Sequence, residues 1–216
     1  MLLINKKVSM KRKSVLKAKI VITCFIMILV TGCGSTSSST RSSSNPYSCK
    51  ENTELENSFI VALREQNFNK LQSAIDAGVD VNGKICNCKK VSVSMGSAQW
   101  GKMNICETKP FFIEAISLGN YKIVELFINN GVDVNQSYTI YDWGKDFGGH
   151  YNGKVKSSFT ITTLEELFKY NYVDNKMLEL LLSKGAKVTK VVELKAKQIN
   201  DEEIFNIFKS HNITIQ

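Results

Sequence analysis

G-N-Y-K-I-V-E-L-F-I-N-N-G-V-D-V-N, Gly119 to Asn135, is the stretch from which the chain is best read. Lys122, Glu125 and Asn129 share one helical face, while Ile123, Val124, Leu126, Phe127 and Ile128 fill the remainder. Most of such a helix has to be covered on folding, and one short helix cannot cover itself. Gly131, directly after Asn129 and Asn130, is a helix-ending signal because glycine adopts the left-handed conformation without a Cβ clash. The chain then turns through Val-Asp-Val-Asn.

The spacing recurs. Leu71, Ala74, Ile75, Gly78, Val79, Asp80, Val81 and Asn82 repeat it, so that A-G-V-D-V-N answers N-G-V-D-V-N. A third copy runs through Leu178, Leu181, Leu182, Gly185 and Ala186, after an apolar stretch at Leu164, Leu167 and Phe168. Ile204, Ile207, Phe208 and His211 form a degenerate fourth, with His211-Asn212 in place of the glycine. Gly119, Val124, Phe127, Ile128, Gly131 and Asn135, preceded by Pro110, Phe111, Phe112, Ala115 and Ile116, resemble an ankyrin repeat. The Thr, Pro and His of that family's opening are not matched in register.

The resemblance covers roughly residues 56 to 212. It implies an all-α repeat solenoid of about four helix pairs, because stacked units bury a core that none buries alone. Its second helices are expected near 68–77, 121–130, 175–184 and 201–210, with Gln66 in the place of the inter-helix glycine. Two departures stand out. Gly78 to Gly131 is 53 residues and Gly131 to Gly185 is 54, against an ankyrin period of about 33. The extra residues follow the asparagine that ends a unit, at the hairpin finger between helix pairs, and so predict two enlarged β-hairpin insertions.

Charge locates the rest of the chain. The formal charge is +8, but Lys6, Lys7, Lys11, Arg12, Lys13, Lys17 and Lys19 supply seven of those charges, leaving one for everything after them. That near-neutral body predicts no nucleic-acid surface. The basic residues precede an apolar run, Ile20 to Val30, which is shorter than the roughly 20 residues of a membrane-spanning helix. It reads as a secretory signal. Val30-Thr31-Gly32-Cys33 resembles the lipobox of bacterial lipoproteins, which implies a signal peptide over 1–32 and lipidation at Cys33. A start at Met10 would give a more ordinary signal length. Gly34, where an aspartate would retain a lipoprotein at the inner membrane, implies the outer membrane facing the periplasm. Residues 33–48 form a Ser-rich tether, and the folded domain spans 49–216.

In an oxidising compartment Cys49, Cys86, Cys88 and Cys106 predict two disulfides. Bridging Cys86 to Cys88 would close too small a ring, so Cys49 takes one of that pair and Cys106 the other, in either arrangement. A zinc site on Cys86, Cys88, Cys106 and a fourth ligand is disfavoured because C-x-C lacks the usual C-x₂₋₄-C spacing and exported thiols tend to oxidise.

The insertions hold Trp100 and Met103 in the first and Tyr138, Tyr141, Trp143, Phe147 and Tyr151 in the second, with Asn152-Gly153 as a hairpin signal. Lys90 to Ser94 alternates like a half-buried strand, and Met95-Gly96-Ser97 reads as a turn. Trp and Tyr bury much area at little rotamer cost, so these seven are the candidate partner contacts; packing of the fingers on each other is the competing use.

No catalytic, cofactor, phosphate-loop or small-molecule motif occurs. Glu165-Glu166 and Glu202-Glu203 suit helix starts, and Asn200 with Glu203 resembles a capping box. The expectation is therefore a non-enzymatic, cofactor-free envelope protein that binds another protein. That partner is either a secreted antibacterial effector, the chain then being its immunity protein, or a resident envelope protein on a general scaffold. A metal-dependent hydrolase using the cysteine loop and His150 is the remote third reading.

Overall fold

The structure, a computed structural model, describes residues 47–94, 100–145, 149–170 and 172–215. The signal segment, Cys33, most of the tether, the Met95-Gly96-Ser97 turn and Phe147 lie outside them. The described residues contain eight helices and four strands. Helices pair as α1 (Glu54–Arg64) with α2 (Phe68–Asp76), α3 (Phe111–Ser117) with α4 (Tyr121–Asn129), α5 (Thr163–Leu167) with α6 (Asn175–Ser183), and α7 (Lys190–Ile199) with α8 (Glu202–Ser210). Strands β1 (Lys84–Ser94) and β2 (Trp100–Pro110) separate the first two pairs, and β3 (Ser137–Lys145) and β4 (Tyr151–Thr162) the next two.

The helix pairs share one local grammar. The first helix ends at a residue with left-handed backbone, Gln66 (φ 54°), Gly119 (φ 69°) or Asn200 (φ 54°) in three of the four pairs. Asn67, Asn120 or Asp201 follows and caps the second helix by accepting a backbone N–H, from Lys70, Ile123 and Glu203 respectively. The third pair breaks the rule, joining its helices by a longer connection before Asp174, which caps α6. Asn200 thus ends α7 and Asp201 begins α8, which corrects the expected Asn200–Glu203 capping box. Second helices end at Gly78, Gly131 and Gly185, all at positive φ with open space where a Cβ would stand, so backbone conformation alone selects glycine there. In the last pair Asn212 (φ 59°) substitutes.

Val-Asp-Val-Asn then links unit to unit. Asp80 accepts the Asn82 N–H and Asp133 the Asn135 N–H, each at 2.9 Å, fixing the turn. The asparagine side chain reaches across to the next unit: Asn82 Oδ1 accepts from Asp133 N at 2.8 Å and Asn135 Oδ1 from Lys187 N at 2.8 Å. Asn135 Nδ2 also donates to the Gly185 carbonyl. These sites are solvent-exposed, so water replaces part of what is lost on truncation. Asn135→Ala is expected to cost roughly 1–2 kcal/mol in urea unfolding with an unchanged slope.

Apolar faces merge into one core running through all the helix pairs. Phe59 of α1 packs against Phe111 and Phe127 at centroid distances of 5.1 and 5.7 Å, Phe112 meets Phe127 at 5.9 Å, and Phe168 stacks on Phe208 of α8 at 6.1 Å.

The strands overturn the all-α solenoid. β1 pairs with β2 through eleven residues on each side and β3 with β4, both antiparallel, and β1 meets β4 in parallel at Val93 and Tyr151. The result is one four-stranded mixed sheet, order β2-β1-β4-β3. The chain is therefore an α/β protein: each insertion is long enough to form a full hairpin, and the two hairpins join edge to edge instead of standing apart. A second correction concerns Asn152-Gly153. It lies inside β4, which begins at Tyr151 opposite Lys145, the end of β3, and where the register with β3 shifts around Trp143 and Lys145. Gly153 (φ 74°) and the bond from Lys154 N to Asn152 Oδ1 make it a bulge, not a hairpin turn.

Candidate protein-binding face and the clamp beneath it

Directly opposed residues of a hairpin share a face, as do residues two apart along a strand. In the β1/β2 register Lys84, Cys86, Cys88, Lys90, Ser92 and Ser94 therefore lie with Trp100, Lys102, Asn104, Cys106 and Thr108. None of these is acidic. Ile85, Val93 and Ile105 occupy the other face and are buried, and the Met103 thioether there lies beside Gly153 of the second hairpin. The first face looks outward: Lys84, Lys90 and Lys102 are exposed, and Trp100 keeps 58% of its surface. His150 stands edge-on to the Trp100 ring, 4.5 Å between centroids, adding a second exposed ring system from the other hairpin. Charge follows the same division. The segments 84–110 and 137–162 hold eight lysines and three acids, so the sheet is basic while the helix pairs are net acidic.

The seven aromatic and methionine candidates divide. Trp100 alone among those described is largely exposed. Trp143 keeps 8% of its surface, under Tyr47 (5.5 Å, edge-on) and against Tyr141 (6.3 Å). Its indole N–H is buried with no acceptor among the described residues. Tyr141 and Tyr151 are half-buried, Lys145 lying over the Tyr151 ring, and Met103 packs between hairpins. Tyr138 is committed elsewhere. Packing within the molecule, on the strap, within the second hairpin, between the hairpins or on the helices, thus uses every described member of the set but Trp100.

Two devices hold the face in place. The first is a sulfur staple: Cys49 is bridged to Cys86 and Cys88 to Cys106, which settles the pairing. The N-terminal strap is thereby fixed on β1, with Asn52 accepting from Cys86 N and donating to the Lys84 carbonyl. Tyr47 OH donates to the Gly153 carbonyl, so the strap touches both hairpins. Closing loops of this length adds about 3–4 kcal/mol per bridge in the chain-entropy picture.

The second device is Glu166, which sequence reasoning assigned only to a helix start. Its neighbour Glu165 does form the capping box with Thr162. Glu166 points the other way, keeps 4% of its surface, and gathers three elements. Oε1 accepts from Ser117 Oγ of α3 at 2.6 Å and from Lys109 Nζ of β2 at 3.2 Å; Oε2 accepts from Tyr138 OH of β3 at 3.0 Å. Lys169 lies 3.5 Å away, and Lys109 also pairs with Glu114 at 3.1 Å. Burial raises the Glu166 carboxyl pKa, but the Ser117 hydroxyl, the Lys109 ammonium and Tyr138 more than offset it, leaving the group below the ordinary carboxylate value. Tyr138 is pushed up, by burial first and then by the Glu166 charge. Both therefore hold fixed protonation states at neutral pH. The cluster is a clamp binding one strand of each hairpin to the helices.

Of the residues in the hydrolase reading, the four cysteines are bridged in pairs and His150 lies against Trp100. Compared with known proteins, the chain matches no protein-family model and no curated protein.

Proposed function

We propose that the chain is an exported, lipid-anchored bacterial envelope protein that works by binding another protein through the outward face of its first hairpin. One observation carries the reading: Trp100, the largest apolar side chain at the sheet's end, stays exposed beside His150 on a face whose strand residues include Lys84, Lys90 and Lys102 and no acid. An exposed tryptophan ringed by polar groups is the usual anchor of a protein contact. The recurring Gly-Val-Asp-Val-Asn turn after Gly78 and Gly131, each followed by an inserted hairpin, supports the same use, since insertions at one place in successive units map to loops on one face. The Val30-Thr31-Gly32-Cys33 motif supports lipidation at Cys33. We take a secreted antibacterial effector as the partner, which makes the chain an immunity protein and requires a toxin-like gene beside its own.

Trp100→Ala is expected to weaken capture of the partner at least about 30-fold, equivalent to ~2 kcal/mol. Its thermal midpoint should stay within about 1 °C of the parent, because the ring covers little core. Pull-down from the producing cells with parent and variant side by side checks this. Equal recovery by both proteins would reject the face, and Cys33→Ser left in the membrane fraction would reject the anchor.

A further inference from the structure

We propose that Cys49, Cys86, Cys88 and Cys106 have a second closed state, in which the four reduced sulfurs hold one zinc ion in place of the two disulfides. The inference does not depend on lipid anchoring or on the partner.

The sulfurs of Cys49, Cys86 and Cys88 all lie within 4.8 Å of one another. Between the bridges, Cys49 Sγ is 3.5 Å from Cys88 Sγ and Cys86 Sγ is 3.9 Å from Cys88 Sγ. A tetrahedral zinc with Zn–S bonds of about 2.3 Å has sulfur–sulfur edges of roughly 3.8 Å. Those two gaps already have the length of tetrahedron edges. What remains is to spread the two bonded pairs by side-chain rotation and bring Cys106 inward. Cys88 and Cys106 are directly opposed in the register with Cα atoms 4.1 Å apart. The spacing objection also falls away on a strand: residues two apart point to the same side, so C-x-C presents both sulfurs together as C-x₂-C does in a turn.

The scaffold does not rely on the bridges alone to keep the four side chains near. β1 and β2 remain paired over eleven residues, and Asn52 ties the strap to β1 by two hydrogen bonds of 2.7 and 2.9 Å. Cys88 is exposed, which admits both a reductant and an ion, whereas Cys106 keeps 2% of its surface. Four thiolates on a divalent ion leave two negative charges; Lys84 and Lys90 share the face with them. Thiolate sulfur selects zinc over magnesium or calcium.

The chemistry balances. Each disulfide takes two electrons and two protons from a dithiol reductant, which becomes a disulfide, and yields two thiols. The four thiols then lose four protons as Zn²⁺ binds. Either state joins the strap to the hairpin, so the redox poise of the surroundings chooses the closure and the hairpin stays fixed in both.

The test uses the full chain with Cys24→Ser and Cys33→Ser, so that only the four sulfurs remain. It is reduced with a phosphine under argon and titrated first with Co²⁺, then with Zn²⁺. Expected are one equivalent bound, thiolate-to-cobalt charge-transfer and tetrahedral ligand-field absorption, loss of both bands on adding zinc, and a higher thermal midpoint with zinc than without. The oxidised chain should show none of this. Adding Cys88→Ser, which removes the sulfur common to both short gaps, should abolish the stoichiometric signal. No thiolate band in the reduced chain overturns the proposal. So does an equal band in the Cys88→Ser chain, or metal binding without gain in thermal midpoint or circular-dichroism signal, since an unfolded chain would do the same.

Discussion

Replacing Glu166 by alanine is expected to destabilise the protein by about 3 kcal/mol, at the lower end of the range for breaking a buried ion pair. The lower end applies because Lys109 retains Glu114 and Lys169 is partly solvated. Glu166→Gln should cost less than alanine, since an amide still accepts from Ser117 or Tyr138 while losing the charge. A double-mutant cycle with Tyr138→Phe should return a coupling of about 1 kcal/mol, near that of one hydrogen bond. The same carboxyl predicts an acid effect. Its pKa is lower folded than unfolded, where the ordinary value is 4.5. The unfolded chain therefore binds the proton first, and the contribution is complete above that value and lost as pH falls through the folded pKa. Stability of the parent should decline below about pH 4.5 more steeply than that of Glu166→Gln; parallel curves would mean that the clamp is not ionised.

Phe127→Ala should be costlier still, about 3–5 kcal/mol, because it removes a fully buried ring and leaves a cavity. Phe127 touches Phe59 of the first helix pair and Phe112 of its own, so its loss loosens the joint between units as well as one helix. Against a total stability of about 5–15 kcal/mol, that is a large share. Chemical denaturation followed by circular dichroism measures it. A cost under about 1.5 kcal/mol would show that the pairs do not share a core.

What could be read from the sequence was local. Gly78, Gly131 and Gly185 mark helix ends because a single backbone conformation selects them, and Asn82 and Asn135 recur because each makes the same turn and the same cross-unit bond. The fold class was not local. The hairpins become one sheet through the contact of Val93 with Tyr151, residues 58 positions apart whose own neighbourhoods carry no sign of it. Asn152-Gly153 misled for a related reason: the pair supplies positive φ wherever the backbone needs it, and here a bulge needed it.

The site was legible in part. Trp100 and Trp143 each sit in Trp-Gly-Lys, yet one is exposed and the other covered by Tyr47 from the N-terminal strap, a difference no window around either could show. Glu165 and Glu166 are adjacent acids at one helix start. A helical turn of about 100° per residue sends the first to its cap and the second into the protein, where Ser117, Lys109 and Tyr138 arrive from three other elements. Convergence of that kind has no spacing to recognise.

The most direct measurement places a photo-activatable amino acid at position 100, in place of Trp100, in the producing cells, with a second protein carrying it at Val61, an exposed residue of α1. Irradiation should yield one discrete protein adduct from position 100 and none of that mass from position 61. No adduct from position 100, or the same adduct from both positions, would contradict binding through the first hairpin's outward face.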